Sequence, residues 1–144
     1  MKTQKNPFAQ LQIELKQTID HDLPLKVGNE AVSMFKKNFH QEGFFGKPWQ
    51  RSKRIGKAKG ADGVRKTLTG RTGDLGRSIK MKPAPGKVTI YSDVPYAAVH
   101  NEGLRAGRGK GFIMPRRQFI GESRELTQKI TKLIETEIGR ILKG

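Results

Sequence analysis

From Leu126 to Leu142 the apolar residues Leu126, Ile130, Leu133, Ile134, Ile138, Ile141 and Leu142 recur at three- and four-residue spacing. That period belongs to one face of an α-helix and to no strand, so segment 122–143 is bound to an amphipathic helix whose stripe needs a partner. Acidic residues in its first turn and Lys143 near its end suit the helix dipole. With no cysteine in the chain, disulfides and thiolate metal sites are ruled out, and the fold rests on packing alone. At 144 residues the chain is long enough to bury roughly two-thirds of its unfolded surface as one domain, 1–144.

The expected partner lies in 6–42. Asn6-Pro7 reads as N-cap and first position of a helix carrying Phe8, Leu11, Leu15 and Ile19 on one stripe. Asp20-His21-Asp22 interrupts it, and Pro24 is read as starting a second helix with Val27, Ala31, Met34, Phe35 and Phe39 on one face. Gly28 weakens that helix's first turn, and Gly43 is expected to end it.

Between the terminal helices the period is lost. Residues 43–71 read as a long basic loop, expected to be mobile over 53–66, with Phe44, Phe45 and Trp49 at its start. Three punctuated blocks then follow: Thr72-Gly-Asp-Leu-Gly-Arg-Ser-Ile79, Pro95-Tyr-Ala-Ala-Val-His-Asn-Glu-Gly103 and Met114-Pro-Arg-Arg-Gln-Phe-Ile-Gly121. The first reads as a short helix capped by Thr72 or Asp74, with Leu75 and Ile79 inward. The second reads as a short helix closed by Gly103. Between them, Ile79–Lys82 and Val88–Tyr91 alternate across a Pro83-Ala-Pro-Gly86 turn, the pattern of an antiparallel hairpin. Gln118-Phe-Ile reads as a short strand. The class is therefore α+β: a small antiparallel sheet packed against a long C-terminal helix and N-terminal helices, with 72–121 as the hairpin-containing core.

The net charge of +16 is unevenly spread. Segments 1–42 and 122–144 each carry +1, whereas 43–66 and 67–121 each carry +7. The field therefore comes from the centre.

Enzymatic readings find little support. His21, His40 and His100 lie in separate segments, without the repeated short spacing of a zinc site. His100 and Glu102 are two apart and point to different sides of a helix. Ser78 lies in no nucleophile elbow, and no acidic pair stands out. Gly56-Lys-Ala-Lys-Gly60 and Gly107-Arg-Gly-Lys-Gly111 lack the strand–loop–helix context of a nucleotide-binding loop. No catalytic residue, cofactor or metal is expected. Nucleic-acid binding is the alternative that composition suggests: Arg51, Lys53, Arg54, Lys57 and Lys59 near three aromatics could hold phosphates while rings stack on bases. The competing reading, which we favour, is that those aromatics anchor the loop to the core. No apolar run approaches the length of about 20 residues that spans a bilayer. The first residues lack a signal peptide's apolar segment, so a soluble protein made in the cytoplasm, without membrane contact, is expected.

Taken in order, Thr-Gly-x-Leu-x-x-Ser-Ile, Tyr-Ala-x-x-His-Asn-x-Gly and Met-Pro-x-Arg-x-Phe-x-Gly resemble the pattern of the phage virion morphogenesis family, the phage Mu G-like proteins close to tail-completion proteins. Trp49 and the final amphipathic helix also look like that family, and the resemblance runs from about residue 30 onward. It implies a non-enzymatic structural protein of the virion, acting in tail completion or head–tail joining at the neck. Neck, tail or head proteins are its implied partners, with homo-oligomerisation on assembly and contact with packaged DNA. Pro115 and Gly121 are expected to aim the Arg-rich 105–117 segment outward, with Arg105, Arg108, Lys110, Arg116 and Arg117 available to an acidic partner or to DNA. Gly73, Leu75, Ser78, Tyr96, His100, Gly103, Pro115 and Phe119 are the expected structural positions of the blocks. For Leu75, Tyr96 and Phe119 the expected task is to hold the hairpin against the C-terminal helix.

Overall fold

The computed structural model describes residues 7–69 and 73–143. Asn6 and Thr72, the expected caps, lie outside them. Helix α1 (Pro7–Gln17) runs without a break in helical dihedrals through a π-helical turn, Thr18–Asp22, into α2 (Leu23–Gln41). The interruption expected at Asp20-His21-Asp22 is therefore a widening of the helix and not a gap. Proline explains it: Pro24 has no N–H to give and its ring would crowd the carbonyl of residue 20, so the ladder widens just before it. The Leu23 N–H accordingly bonds back five residues to the Thr18 carbonyl. Widening also changes which residues face inward. Thr18 is buried, Leu11 and Leu15 are half-buried, and Phe8 and Ile19 stay exposed.

Helix α2 is the axis of the protein. Its buried face carries Leu23, Gly28, Ala31, Met34, Phe35, Asn38 and Phe39, close to the expected stripe. Gly28 is there because nothing larger fits: a Cβ at this position would stand 2.5 Å from Met81 Sδ and 2.9 Å from Val88 Cγ2. Its cost in helix propensity is the condition for the hairpin to lie on α2. The helix ends one residue earlier than expected, with Glu42 in the left-handed region (φ 52°). The Glu42 carboxylate accepts the Thr67 N–H at 2.8 Å, tying this strained corner to the far end of the basic loop.

Strands β1 (Gly43–Phe44) and β2 (Lys47–Pro48) form a minimal ribbon that leads into that loop. The loop is closed at its base and internally bonded. Arg54 donates from Nη1 to the Arg65 carbonyl at 2.9 Å and from Nη2 to the Lys66 carbonyl at 2.7 Å. Gly56 N–H bonds the Gly63 carbonyl, and Lys66 Nζ reaches the His40 carbonyl at the end of α2.

Helix α3 (Asp74–Arg77) opens on left-handed Gly73 without a side-chain cap; Asp74 pairs instead with Arg77 at 3.1 Å. Strands β3 (Ile79–Ala84) and β4 (Lys87–Ser92) form the expected hairpin, longer than predicted and closed by Pro85-Gly86 alone. In register, Ile79 faces Ser92, Met81 faces Ile90 and Pro83 faces Val88, so one side of the ribbon is apolar and rests on α2. The other side carries Lys80, Lys82 and Tyr91. Helix α4 (Ala97–Glu102) ends at left-handed Gly103 (φ 71°), as its glycine signalled. Strands β5 (Arg105–Ala106) and β6 (Phe112–Ile113) make the Gly107-Arg-Gly-Lys-Gly111 stretch, a second basic loop, the tip of a small ribbon.

Helix α5 (Arg124–Lys143) packs on α2 and α1, where Lys26 and Glu137 meet at 2.8 Å. It approaches the hairpin through α2. The core joins Ala31, Met34, Phe35 and Phe39 of α2 to Leu75, Ile79, Ala97, Phe119 and Leu126. Sheets and helices are thus mixed as α+β, with three separate two-stranded ribbons among the described residues.

Candidate functional site

The three sequence blocks meet at one place. The third block contributes an irregular segment, 117–120, and not the strand expected at Gln118-Phe-Ile. Five of its backbone groups are satisfied from other elements. Arg117 N–H donates to the His100 carbonyl at 2.8 Å. The Gln118 carbonyl accepts from Trp49 Nε1 at 2.8 Å, and the Phe119 carbonyl from Asn38 Nδ2 at 3.1 Å. Asn101 Oδ1 takes both the Phe119 and Ile120 N–H groups, at 2.8 and 3.0 Å. A buried backbone requires such partners, and side chains have replaced the neighbouring strand.

This lacing puts Phe119 at the centre, 1% exposed, against the ring of Phe39 at a centroid distance of 5.1 Å. Trp49 packs on the other part of Phe39 at 5.5 Å, and Phe44 and Phe45 stack edge-on at 4.8 Å. The aromatics at the head of the basic loop are thus half-buried against the core and anchor the loop to it.

Around Arg117 the blocks line an open cavity of about 520 Å³, reached by Arg54 of the basic loop, Leu75 of α3, Tyr96 and His100 of the second block, and Met114 of the third. Tyr96 is 45% exposed and stands edge-on to the His100 ring at 6.1 Å. It lies at the cavity rim, whereas Leu75 and Phe119 belong to the core. Ser78 seals the start of the hairpin, donating to the Leu75 carbonyl at 2.6 Å and contacting Ser92 Oγ at 2.6 Å. Gly103 lets the third block pass, since a Cβ there would meet Arg116 Cβ at 3.0 Å.

The outward aim expected for the two adjacent arginines holds for Arg116 alone. Arg116 is exposed and donates to Gln118 Oε1 at 3.2 Å. Arg117 is 7% exposed, and its Nε donates to the Gln50 carbonyl at 2.8 Å. Burial pushes the Arg117 guanidinium below its ordinary value, although a guanidinium remains charged in a protein. The His100 ring is held below its usual range first by burial and then by the Arg117 charge, so it stands neutral at pH 7.

The remaining basic residues divide between two loops. Arg51, Lys53, Lys57 and Lys59 are exposed on the first, while the Arg54 guanidinium is spent on carbonyls of its own loop. Arg105, Arg108 and Lys110 are exposed on the β5–β6 ribbon, where Arg105 Nη1 donates to the Lys110 carbonyl. The two loops meet along one groove of about 770 Å³, where Lys53 comes beside Phe112, Ile113, Pro115 and Arg116. Phe112 and Ile113, 54% and 62% exposed, give this basic groove an apolar floor. Sequence reasoning missed four residues here: Asn38, Asn101 and the ribbon pair Phe112-Ile113. Asn38 interrupts the apolar stripe of α2, and Asn101 is a fixed position of the second block's pattern; these were the available signals.

Among the described residues, no group of three or more metal-ligating side chains gathers, and no helix is long and apolar enough to cross a membrane. No curated protein and no solved structure matches the chain significantly. Residues 8–139 match the model of the phage virion morphogenesis family, a span that begins well before the resemblance read from the blocks and takes in α1 and most of α5. The chain belongs to the phage virion morphogenesis family.

Proposed function

We propose that this virion morphogenesis protein acts as a structural, non-enzymatic piece in tail completion or head–tail joining, using its basic groove against neighbouring virion proteins. The observation that carries the reading is the convergence of the three blocks. They spend their hydrogen bonds on a tightly laced junction around Phe119 and leave two basic loops flanking one groove with an exposed apolar floor. A groove with apolar anchors and arginine at its edge has the composition of a protein–protein contact. Homo-oligomerisation on assembly and a place in the neck or tail belong to the same proposal.

Disabling the gene in its phage or prophage and examining the induced lysate by electron microscopy tests it. Filled heads beside unattached or overlong tails are expected. Normal infectious particles would overturn the reading and direct attention to DNA binding, for which the exposed lysines of 51–59 would be the phosphate contacts.

A further inference from the structure

We infer that the cavity at the junction of the three blocks is a seat for a carboxylate presented by an acidic segment of a partner protein, with Arg117 as its principal cation. Arg117 is more than nine-tenths buried, yet no acidic side chain lies within ion-pair distance of it among the described residues. Its Nε is spent on the Gln50 carbonyl, which fixes the plane of the guanidinium and leaves the two terminal nitrogens. Burying an unpaired cation is unfavourable, and a carboxylate that takes two parallel hydrogen bonds from a guanidinium is the counter-group whose geometry fits.

The surroundings agree. Arg54 also reaches the wall, where two backbone carbonyls hold its guanidinium. The Nδ1 of His100 is buried with no hydrogen-bond partner in the structure. That atom is closed off from the cavity space, so the His100 ring forms part of the wall and is not a donor to the occupant. Asp74 also reaches the wall, but it is engaged with Arg77 at 3.1 Å and leaves the Arg117 end positive. Leu75, Met114 and Tyr96 line the rest with apolar surface, suited to the stem of a glutamate and a neighbouring apolar side chain.

Depth selects a protein carboxylate over DNA. Phosphates on a duplex lie on a broad convex surface and pair with cations that project into solvent, as Lys57, Lys59 and Arg108 do. Arg117, only 7% exposed, lines this cavity and the neighbouring groove, and a projecting carboxylate side chain reaches such a buried guanidinium more readily than a duplex backbone does. The chemistry of the seat stands on this geometry; that its carboxylate comes from a neighbouring virion protein rests on the assembly reading above.

The experiment uses the isolated protein and nuclear magnetic resonance of the Arg117 Nε–H and the His100 ring. The probes are a capped pentapeptide with a central glutamate flanked by leucines, its glutamine counterpart, and a short DNA duplex. Saturable shifts of both groups with the glutamate peptide are expected, with binding at least about tenfold weaker for the glutamine peptide and for Arg117→Gln. Because Arg117→Gln also disturbs the Gln50 contact, Met114→Glu serves as the second variant. A carboxylate supplied from within the cavity should raise Tm and abolish peptide binding. Equal binding of the two peptides, no shift with either, or Arg117 shifts with the duplex alone would each overturn the assignment. So would a Met114→Glu protein of lowered Tm that still binds the glutamate peptide. These outcomes are independent of the lysate micrographs, so either reading can fail without the other.

Discussion

Asn38, in the last turns of α2, donates through Nδ2 to the carbonyl of Phe119, 81 residues further along the chain, at 3.1 Å. The same amide accepts the Phe45 N–H at 3.1 Å through Oδ1. One buried side chain therefore joins the central helix, the entry to the basic loop and the third block. Neither bonded backbone group has a neighbouring strand to turn to, and Asn38 is only 1% exposed, so water does not replace it.

Removing that amide should be costly. Asn38→Ala leaves a buried carbonyl and a half-buried N–H unsatisfied, and about 2–4 kcal/mol of stability is expected to be lost. Urea unfolding measures it. A loss below that of a typical surface substitution would mean that the 117–120 segment finds other partners.

Gly28→Ala sets two effects against each other. Alanine favours the helix by about 1 kcal/mol, but its Cβ would intrude on Met81 and Val88, and overpacking costs about 1–3 kcal/mol. Met81 can swing its thioether aside; Val88 is short and stiff, so net destabilisation is expected. Combining Gly28→Ala with Val88→Ala should recover part of the loss. A double-mutant cycle with no coupling would show that the hairpin does not bear on α2 at this point.

Phe119→Ala and Phe112→Ala should part company. Phe119 is enclosed and its truncation is expected to cost about 3–5 kcal/mol. Phe112 is more than half exposed, so its truncation should change stability by less than about 0.5 kcal/mol. Chemical denaturation of both variants gives the comparison, and similar losses would contradict the burial described for them.

Lowering the pH should weaken the fold through His100. Its folded pKa lies below the ordinary value of about 6.5. Between the folded value and 6.5 the unfolded chain binds more protons, so stability is greatest above this window and falls as pH drops through it. Arg117 is the charge that faces the ring, and it does not titrate in this range. Thermal melts from pH 8 to 5 should show Tm declining on the acid side, less steeply in His100→Gln. An equal decline in the variant would remove His100 from the account.

Charge reversal in the groove should separate assembly from stability. Lys53→Glu with Arg116→Glu changes two exposed residues, so the unfolding free energy should move by less than about 0.5 kcal/mol. Infectious particle yield from a phage carrying the pair should fall by about tenfold or more, because like charges would then face an acidic neighbour. Unchanged yield would count against this groove as a contact surface.

Helices α2 and α5, the β3–β4 hairpin and the short helices α3 and α4 are all legible in the sequence. Each is announced by a local repeat: three- and four-residue spacing, alternation, or a closing glycine such as Gly103. Family membership was legible for a similar reason, since the blocks are short runs readable in place. The helical path through residues 18–22 was less so, because the π turn answers to Pro24 and reads as an interruption in the pattern. The basic loop looked open because nothing local announces that Arg54 will cap the carbonyls of residues 65 and 66, or that Glu42 will hold Thr67.

By itself, then, the sequence determined the main helices and the hairpin, where the positive charge accumulates and which family's pattern the blocks follow. Tertiary structure alone decided that 118–120 is a laced segment and not a strand, and that Arg116 faces solvent while Arg117 is buried beside His100. The physical reason is range. Periodicity and capping act over one or two turns of chain, whereas the burial of Arg117 and the partners of Phe119 depend on Gln50, Asn38 and Asn101, which only the folded backbone brings together.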